Sequence, residues 1–141
     1  MKQVSLRPVK KKDWDFILSL RNDDKTRDNF YTKNKIKKKD HYKYLQEQAK
    51  NPNFFHWIIS YGNSNAGYVR ILENDISIML NNKFQNKGIG TSALKLIEKE
   101  AKLLGIKKLV GRVMVHNVQS KKIFEKNNYT LLMYWLEKYI S

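Results

Sequence analysis

The sequence predicts an α/β domain built on a mixed, mostly antiparallel sheet, and three observations carry that expectation. Between Phe55 and Leu80 three short runs alternate apolar and polar residues and are separated by turn residues, the pattern of an antiparallel meander. Directly after it, Gly88 and Gly90 precede a stretch in which Leu94, Ile97, Ala101 and Leu104 recur at helical spacing. Strand and helix patterns then alternate to the end of the chain, which places helices against a sheet rather than in a separate bundle.

The elements follow in order. Val4 to Val9 alternates briefly and contains Arg7-Pro8, a short strand. Asp13 is placed to cap a helix whose apolar stripe carries Trp14, Ile17, Leu18 and the aliphatic stem of Arg21. Asn22 to Lys39 is polar, charged and poorly periodic, and reads as a loop with a helical turn. A second helix is expected from Asp40 to about Ala49, stopping before Asn51-Pro52 because a residue preceding proline avoids helical geometry. Phe55, Trp57, Ile59 and Tyr61 alternate with His56, Ile58 and Ser60 in a strand that ends at Gly62-Asn63-Ser64-Asn65. Ala66 to Leu72 and Ile76 to Leu80 form the next two strands, turned by Glu73-Asn74-Asp75. The helix after the glycine pair runs to Gly105, a natural stop. Leu109 to Val115 is a β-branched strand, Ser120 to Lys126 a short helix, and Tyr129 to Tyr139 an aromatic-rich final strand. No repeat, proline-rich linker or glycine/serine tract divides residues 1–141, which read as one domain.

Composition narrows the function. Cysteine is absent, which removes disulfides, thiolate nucleophiles and cysteine-ligated metals, and no metal site is expected. Apolar runs such as Trp57-Ile58-Ile59 are too short to span a bilayer, and Met1 to Ser5 lacks the apolar core of a secretory leader, so a cytoplasmic protein with no membrane partner is expected. The formal charge of +15 invites a nucleic-acid reading. That reading is set aside because nearly all of the charge is lysine; the arginines are Arg7, Arg21, Arg27, Arg70 and Arg112, and base recognition leans on arginine's bidentate fork. The abundance of Lys, Asn, Ile and Tyr fits an AT-rich coding sequence, and an anionic cofactor or substrate would exploit the same field.

The segment Gln85-Asn86-Lys87-Gly88-Ile89-Gly90, between a strand and a helix N-terminus, has the makings of an anion site. The first helical N–H groups lack intrahelical acceptors and the helix dipole adds partial positive charge. Gly88 and Gly90 permit close backbone approach and positive φ, Lys87 adds an ammonium, and Thr91 or Ser92 offers a hydroxyl. A bare tight turn is the competing reading of the glycines. The string of a P-loop is absent. Gly88 to Ala93 does fit the dinucleotide fingerprint G-x-G-x-x-A, but that fingerprint opens a parallel βαβ domain, whereas an antiparallel meander comes first here.

With these residues the chain resembles the GNAT acetyltransferase superfamily. Its Gln/Arg-x-x-Gly-x-Gly/Ala signature is matched by Gln85 to Gly90, and its Asn-x-x-Ser/Ala block followed by Glu-Lys and an aromatic by Asn117, Ser120, Glu125, Lys126 and Tyr129. Leu6-Arg7-Pro8 and the helix from Trp14 to Asn22 are similar to the superfamily's start. The resemblance implies a GNAT fold, with a sheet of six to seven strands flanked by about four helices and a splay between the fourth and fifth strands that takes the pantetheine arm of acetyl-CoA as a cosubstrate. It implies backbone pairing of Ile78, Met79 and Leu80 with pantetheine, a pyrophosphate held across Gln85, Asn86, Lys87, Gly88, Ile89, Gly90 and Thr91, and Asn117 and Phe124 near the cofactor. It further implies direct attack of a primary amine on the thioester, by a monomer or homodimer.

Two departures leave the acid and base open. Relatives often carry a tyrosine proton donor where Phe124 stands, and one ribosomal-protein type carries a glutamate base where Arg112 stands. Phenylalanine donates no proton. The candidates are His41 and Asp75, with His56 and Glu73 behind them, as bases, and Tyr129 as an acid. Arg21 to Arg27 with His41, and the lysines from Lys33 to Lys43, resemble acetyltransferases acting on nucleotide-linked amino sugars; protein N-termini are the alternative acceptor, and a non-catalytic CoA-binding domain the alternative role.

Overall fold

A computed structural model describes residues 2–141. Four antiparallel strands, β1 (Val4–Pro8), β2 (Phe54–Tyr61), β3 (Ser64–Leu72) and β4 (Asp75–Leu80), lie side by side in chain order, and β5 (Val110–Gly111) joins β4 in parallel. The helices are α1 (Trp14–Asn22), α2 (Asp24–Arg27), α3 (Lys38–Gln48), α4 (Ile89–Leu103) and α5 (Val118–Lys126). Among the described residues no helix is long and apolar enough to cross a membrane.

Period-two alternation sorts the sheet into two faces. Ile58, Tyr68 and Met79 pack with Ile17 and Leu20 of α1 on one side. Their neighbours Ile59, Val69, Ile71 and Ile76 pack with Ile89, Ala93, Leu94, Ile97 and Ala101 of α4 on the other. A one-residue slip would exchange the two sets, so burial on both faces fixes the register. The turns between strands are tight, with Gly62 (φ 59°) and Glu73 (φ 59°) in the left-handed region. Gly67 lies opposite Leu80, and a Cβ there would collide with the carbonyl oxygen of Met79.

Several sequence expectations need correction. The expected six to seven strands are five among the described residues. The strand expected over Leu109 to Val115 is regular only at Val110–Gly111, and the one expected from Tyr129 to Tyr139 does not form. In that last segment Leu132, Tyr134, Leu136 and Tyr139 are 82% to 91% exposed. The two corrections share a cause, because an added strand needs a row of aligned N–H and C=O groups along the edge it joins, and β5 supplies almost none. Five helices replace the expected four or so, because Asp23 accepts a hydrogen bond from the Thr26 N–H (3.3 Å) and caps one extra turn, α2. Asp13, expected as a cap, is buried and takes both forks of Arg7 at 2.8 Å instead, tying β1 to the start of α1. The same hydrogen bonds hold its carboxyl below the usual range.

His56 of β2 and Tyr68 of β3 share a hydrogen bond of 3.0 Å on the α1 side of the sheet. Burial pushes the imidazole down to about 4 and the phenol upward. A histidine held neutral in the fold stabilises it fully above its unfolded pKa, near 6.5, and loses that contribution as pH falls toward 4. The thermal midpoint is therefore expected to fall between pH 6.5 and 4, and less so in His56→Gln, as read by circular dichroism across that range. Gly67→Ala is expected to cost about 2–3 kcal/mol through overpacking against β4, measured as a lowered denaturation midpoint.

Candidate functional site

The site begins where β4 and β5 part. The Val110 N–H donates to the Asn74 carbonyl (2.8 Å), and the Asn81 N–H donates to the Ala66 carbonyl of β3 (2.9 Å). Backbone groups alternate sides along a strand, so even-numbered residues of β4 point toward β5 and odd-numbered ones toward β3. Ile76 still finds Gly111, and beyond that pair the ladder ends. The N–H and C=O groups of Ile78 and Leu80 therefore open into the gap, where the Gln85 side-chain amide donates to the Leu80 carbonyl at 3.4 Å. Met79, expected to share this role, turns its backbone toward Tyr68 and its side chain into the α1 layer.

Asp75 sets where the parting starts. Its carboxylate receives Arg70 Nη1 at 3.0 Å and Arg112 Nε at 3.1 Å, clamping β3, β4 and the segment after β5 together. Expected as a base, Asp75 is thus committed to two guanidinium groups at the closed end of the gap.

At the open end the chain enters the glycine loop. Asn86 (φ 61°) and Gly88 (φ 76°) are left-handed, with Lys87 between them, and α4 starts at Ile89. The two left-handed residues turn the loop sharply into the α4 N-terminus, whose first N–H groups have no intrahelical acceptor and favour an anion. The two glycines do different work. Gly88 supplies the backbone conformation and faces open space, whereas Gly90 has ordinary φ and lets Ile123 of α5 lie against α4. The expectation of positive φ at both is corrected accordingly.

A cleft of about 280 Å³ surrounds this loop, walled by Leu80, Gln85, Asn86, Gly88 and Gly90, with Ile89 and Thr91 at the helix start and Gln119, Lys122 and Lys126 from α5. The volume lies at the lower edge of the range of small-molecule sites, about 300–1,000 Å³. Gln119 and Lys122 belong to neither sequence motif, yet their spacing with Lys126 (i, i+3, i+7) marks one helix face. Gln119 also donates to the Asn86 side chain (3.1 Å), bracing the loop.

The other candidates lie elsewhere. Asn117 caps α5 by accepting from the Ser120 N–H (3.2 Å). Phe124 is buried against Gly111 and Tyr129 in the core rather than on the cleft wall. Tyr129 packs edge-on to Phe124 at 4.9 Å, and burial pushes its hydroxyl up to about 12. His41 is buried under α1, its Nε2 3.0 Å from the Trp14 carbonyl, and desolvation lowers its pKa. Arg21 stacks on Phe30 and donates to the Thr32 carbonyl, while Arg27 pairs with Asp24.

The fold recurs in solved structures. Spermidine N-acetyltransferase from Vibrio cholerae, in complex with CoA and spermine, superposes with a TM-score of 0.85 at 17% identity over 98% of this chain and 87% of that one. A domain from Methanocaldococcus jannaschii gives 0.82 at 24% identity over 92% and 90%. A ribosomal L7/L12 alpha-N-protein acetyltransferase in complex with coenzyme A gives 0.78 at 19% identity over 92% and 81%. No curated protein sequence matches the chain. The acetyltransferase (GNAT) domain family matches residues 3–130, including β1 to β5, the glycine loop and α5. The chain belongs to that family.

Proposed function

We propose that residues 1–141 work as one N-acetyltransferase domain, moving the acetyl group of acetyl-CoA onto a primary amine by direct attack. The observation that carries this is the continuity of two features, a strand edge whose Ile78 and Leu80 N–H groups have no strand partner and a glycine loop at Gln85 to Gly90 that opens the α4 N-terminus, along one cleft. An extended chain bearing amides at one end and a pyrophosphate at the other is complementary to that sequence of groups. The residues present fit acetyl-CoA on this ground, and Lys122 and Lys126 add charge where its phosphates would lie.

Pantetheine would lie in the gap as a substitute strand, and an N–H of the same edge would polarise the thioester carbonyl. The amine nitrogen attacks the carbonyl carbon, the C–S bond breaks, the nitrogen gives up one proton and the departing thiolate takes one up. Much of the acceleration then comes from holding two reactants in line. Phe124 carries no proton, and Tyr129 packs on Phe124 away from the cleft wall, so thiolate release without a dedicated side-chain acid is the reading we adopt.

Gly88→Val is expected to weaken acetyl-CoA binding at least tenfold by calorimetry. Because Gly88 faces open space, the variant loses no packing, only about 1–2 kcal/mol for a forced left-handed residue. Unchanged affinity would sink the assignment of this cleft. Lys122→Gln with Lys126→Gln is expected to weaken binding roughly tenfold at low salt and much less at high salt, since exposed pairs contribute about 0.2–1 kcal/mol each and are screened. Thiol release with an alkyl amine, a nucleotide-linked amino sugar and a peptide α-amine separates the acceptors. Tight CoA binding with no turnover of any amine would instead establish a non-catalytic CoA-binding domain.

A further inference from the structure

We propose that Asp23 binds the acceptor, its carboxylate holding the ammonium group of a slim primary amine against the end of β4. The inference rests on the acetyl-transfer reading above and adds where the acceptor sits and which charge recruits it.

A second hollow, of about 50 Å³, lies on the α1–α2 side of the sheet and is lined by Ser19, Asp23, Thr26, Leu80, Asn81 and Asn82. Leu80 borders both this hollow and the large cleft, so the two meet at the strand end whose backbone opens into the β4–β5 gap. A donor lying along the large cleft and an acceptor entering the small hollow would converge there from opposite sides.

The hollow is polar, and Asp23 is its charged group. The carboxylate accepts hydrogen bonds from the Asn82 side-chain amide (3.2 and 3.3 Å), the Thr26 N–H (3.3 Å) and the Thr26 hydroxyl (3.4 Å). All of these donors are neutral. Among the described residues no lysine or arginine nitrogen lies within 4.0 Å of it, whereas Asp13, Asp15, Asp24 and Asp75 each hold a cation. Of the cations around it, Arg21 stacks on Phe30, Arg27 pairs with Asp24 and Lys83 lies over the Phe84 ring, while Lys25, two residues along, makes no ion pair with it. In a chain with a net charge of +15, a carboxylate without a cationic partner beside hydroxyl and amide oxygens suits an ammonium, which brings three donors and no acceptor. The hollow has the room of roughly four waters, enough for an ammonium and the first carbons behind it and too little to enclose a nucleotide.

Asp23→Asn tests this cleanly, because asparagine keeps an oxygen to cap α2 and removes the charge. With acetyl-CoA saturating and butylamine, 1,4-diaminobutane and a glycyl peptide as acceptors, the variant is expected to raise the amine KM at least tenfold while the acetyl-CoA Kd stays unchanged. An amine KM shifted less than twofold would overturn the proposal. A second readout stands apart from turnover. On titration with 1,4-diaminobutane, the NMR signal of the Asn82 side-chain amide should shift in the wild-type chain and stay fixed in Asp23→Asn. An unmoved signal in the wild type would likewise overturn it. If no amine is turned over, the acetyl-transfer reading fails, and the Asn82 signal still decides whether Asp23 takes an ammonium.

Discussion

The parting of β4 from β5 after two residue pairs is the constraint on which the rest of the site depends. A parallel neighbour that continued would consume the backbone groups of Ile78 and Leu80 and close the cleft. The parting is held open from both ends. Asp75 gathers Arg70 and Arg112 at one end, and at the other the chain swings through a 3-10 turn at Asn82–Phe84 into the glycine loop. Between them Gly111 accepts the Phe124 ring, which occupies space that a side chain on β5 would need. Unpaired backbone donors are costly unless something answers them, and the pantetheine arm in the proposed complex would answer them.

Charge is distributed by residue type. The five arginines are all engaged within the chain: Arg7 with Asp13, Arg27 with Asp24, Arg70 and Arg112 with Asp75, and Arg21 over Phe30. Their planar forks serve as ties between elements, as the bidentate Arg7–Asp13 pair between β1 and α1 illustrates. The lysines are left to supply a diffuse positive field, concentrated at the cleft by Lys122 and Lys126. Within that field, Asp23 is the acidic side chain of the small hollow, and its hydrogen-bond donors are neutral.

What could be read from the sequence followed from short-range rules. Short apolar-rich runs bounded by turn residues located β2, β3 and β4, although the sheet is covered on both faces, and helical spacing located α4, which buries one face. The glycine loop was legible because it is contiguous. Features set by distant partners were not. The shortness of β5 depends on Phe124 and Asp75, far along the chain, and the apolar alternation from Leu131 to Ile140 predicts a strand irrespective of whether an edge exists to receive it. His41 looked free beside Asp40, yet the helix turns it under Trp14, where its ring is a packing and hydrogen-bonding pin. Asp75 looked like a base for the same reason, since a carboxylate's partners are invisible until the strands are aligned. Asp23 went unnoticed because its neighbours Asn81 and Asn82 lie on another element.

The two motifs that pointed to this family are separated by a helix and a strand, yet the structure makes them one device. Ile123 of α5 fits against Gly90, Gln119 donates to Asn86, and Asn127 donates to the Thr91 carbonyl at 3.3 Å. Asn117 starts that helix by capping it, which fixes the direction from which these three side chains arrive. A loop with two left-handed residues is conformationally expensive to hold by itself. Contacts from α5 at its start, at Gly90 and one residue beyond hold it in the concave form before any ligand arrives, so less ordering is left to oppose binding. The second motif, on this reading, is less a set of ligand contacts than the brace of the first, which is why Asn117 and Phe124 lie off the cleft wall although their sequence pattern accompanies the glycine loop.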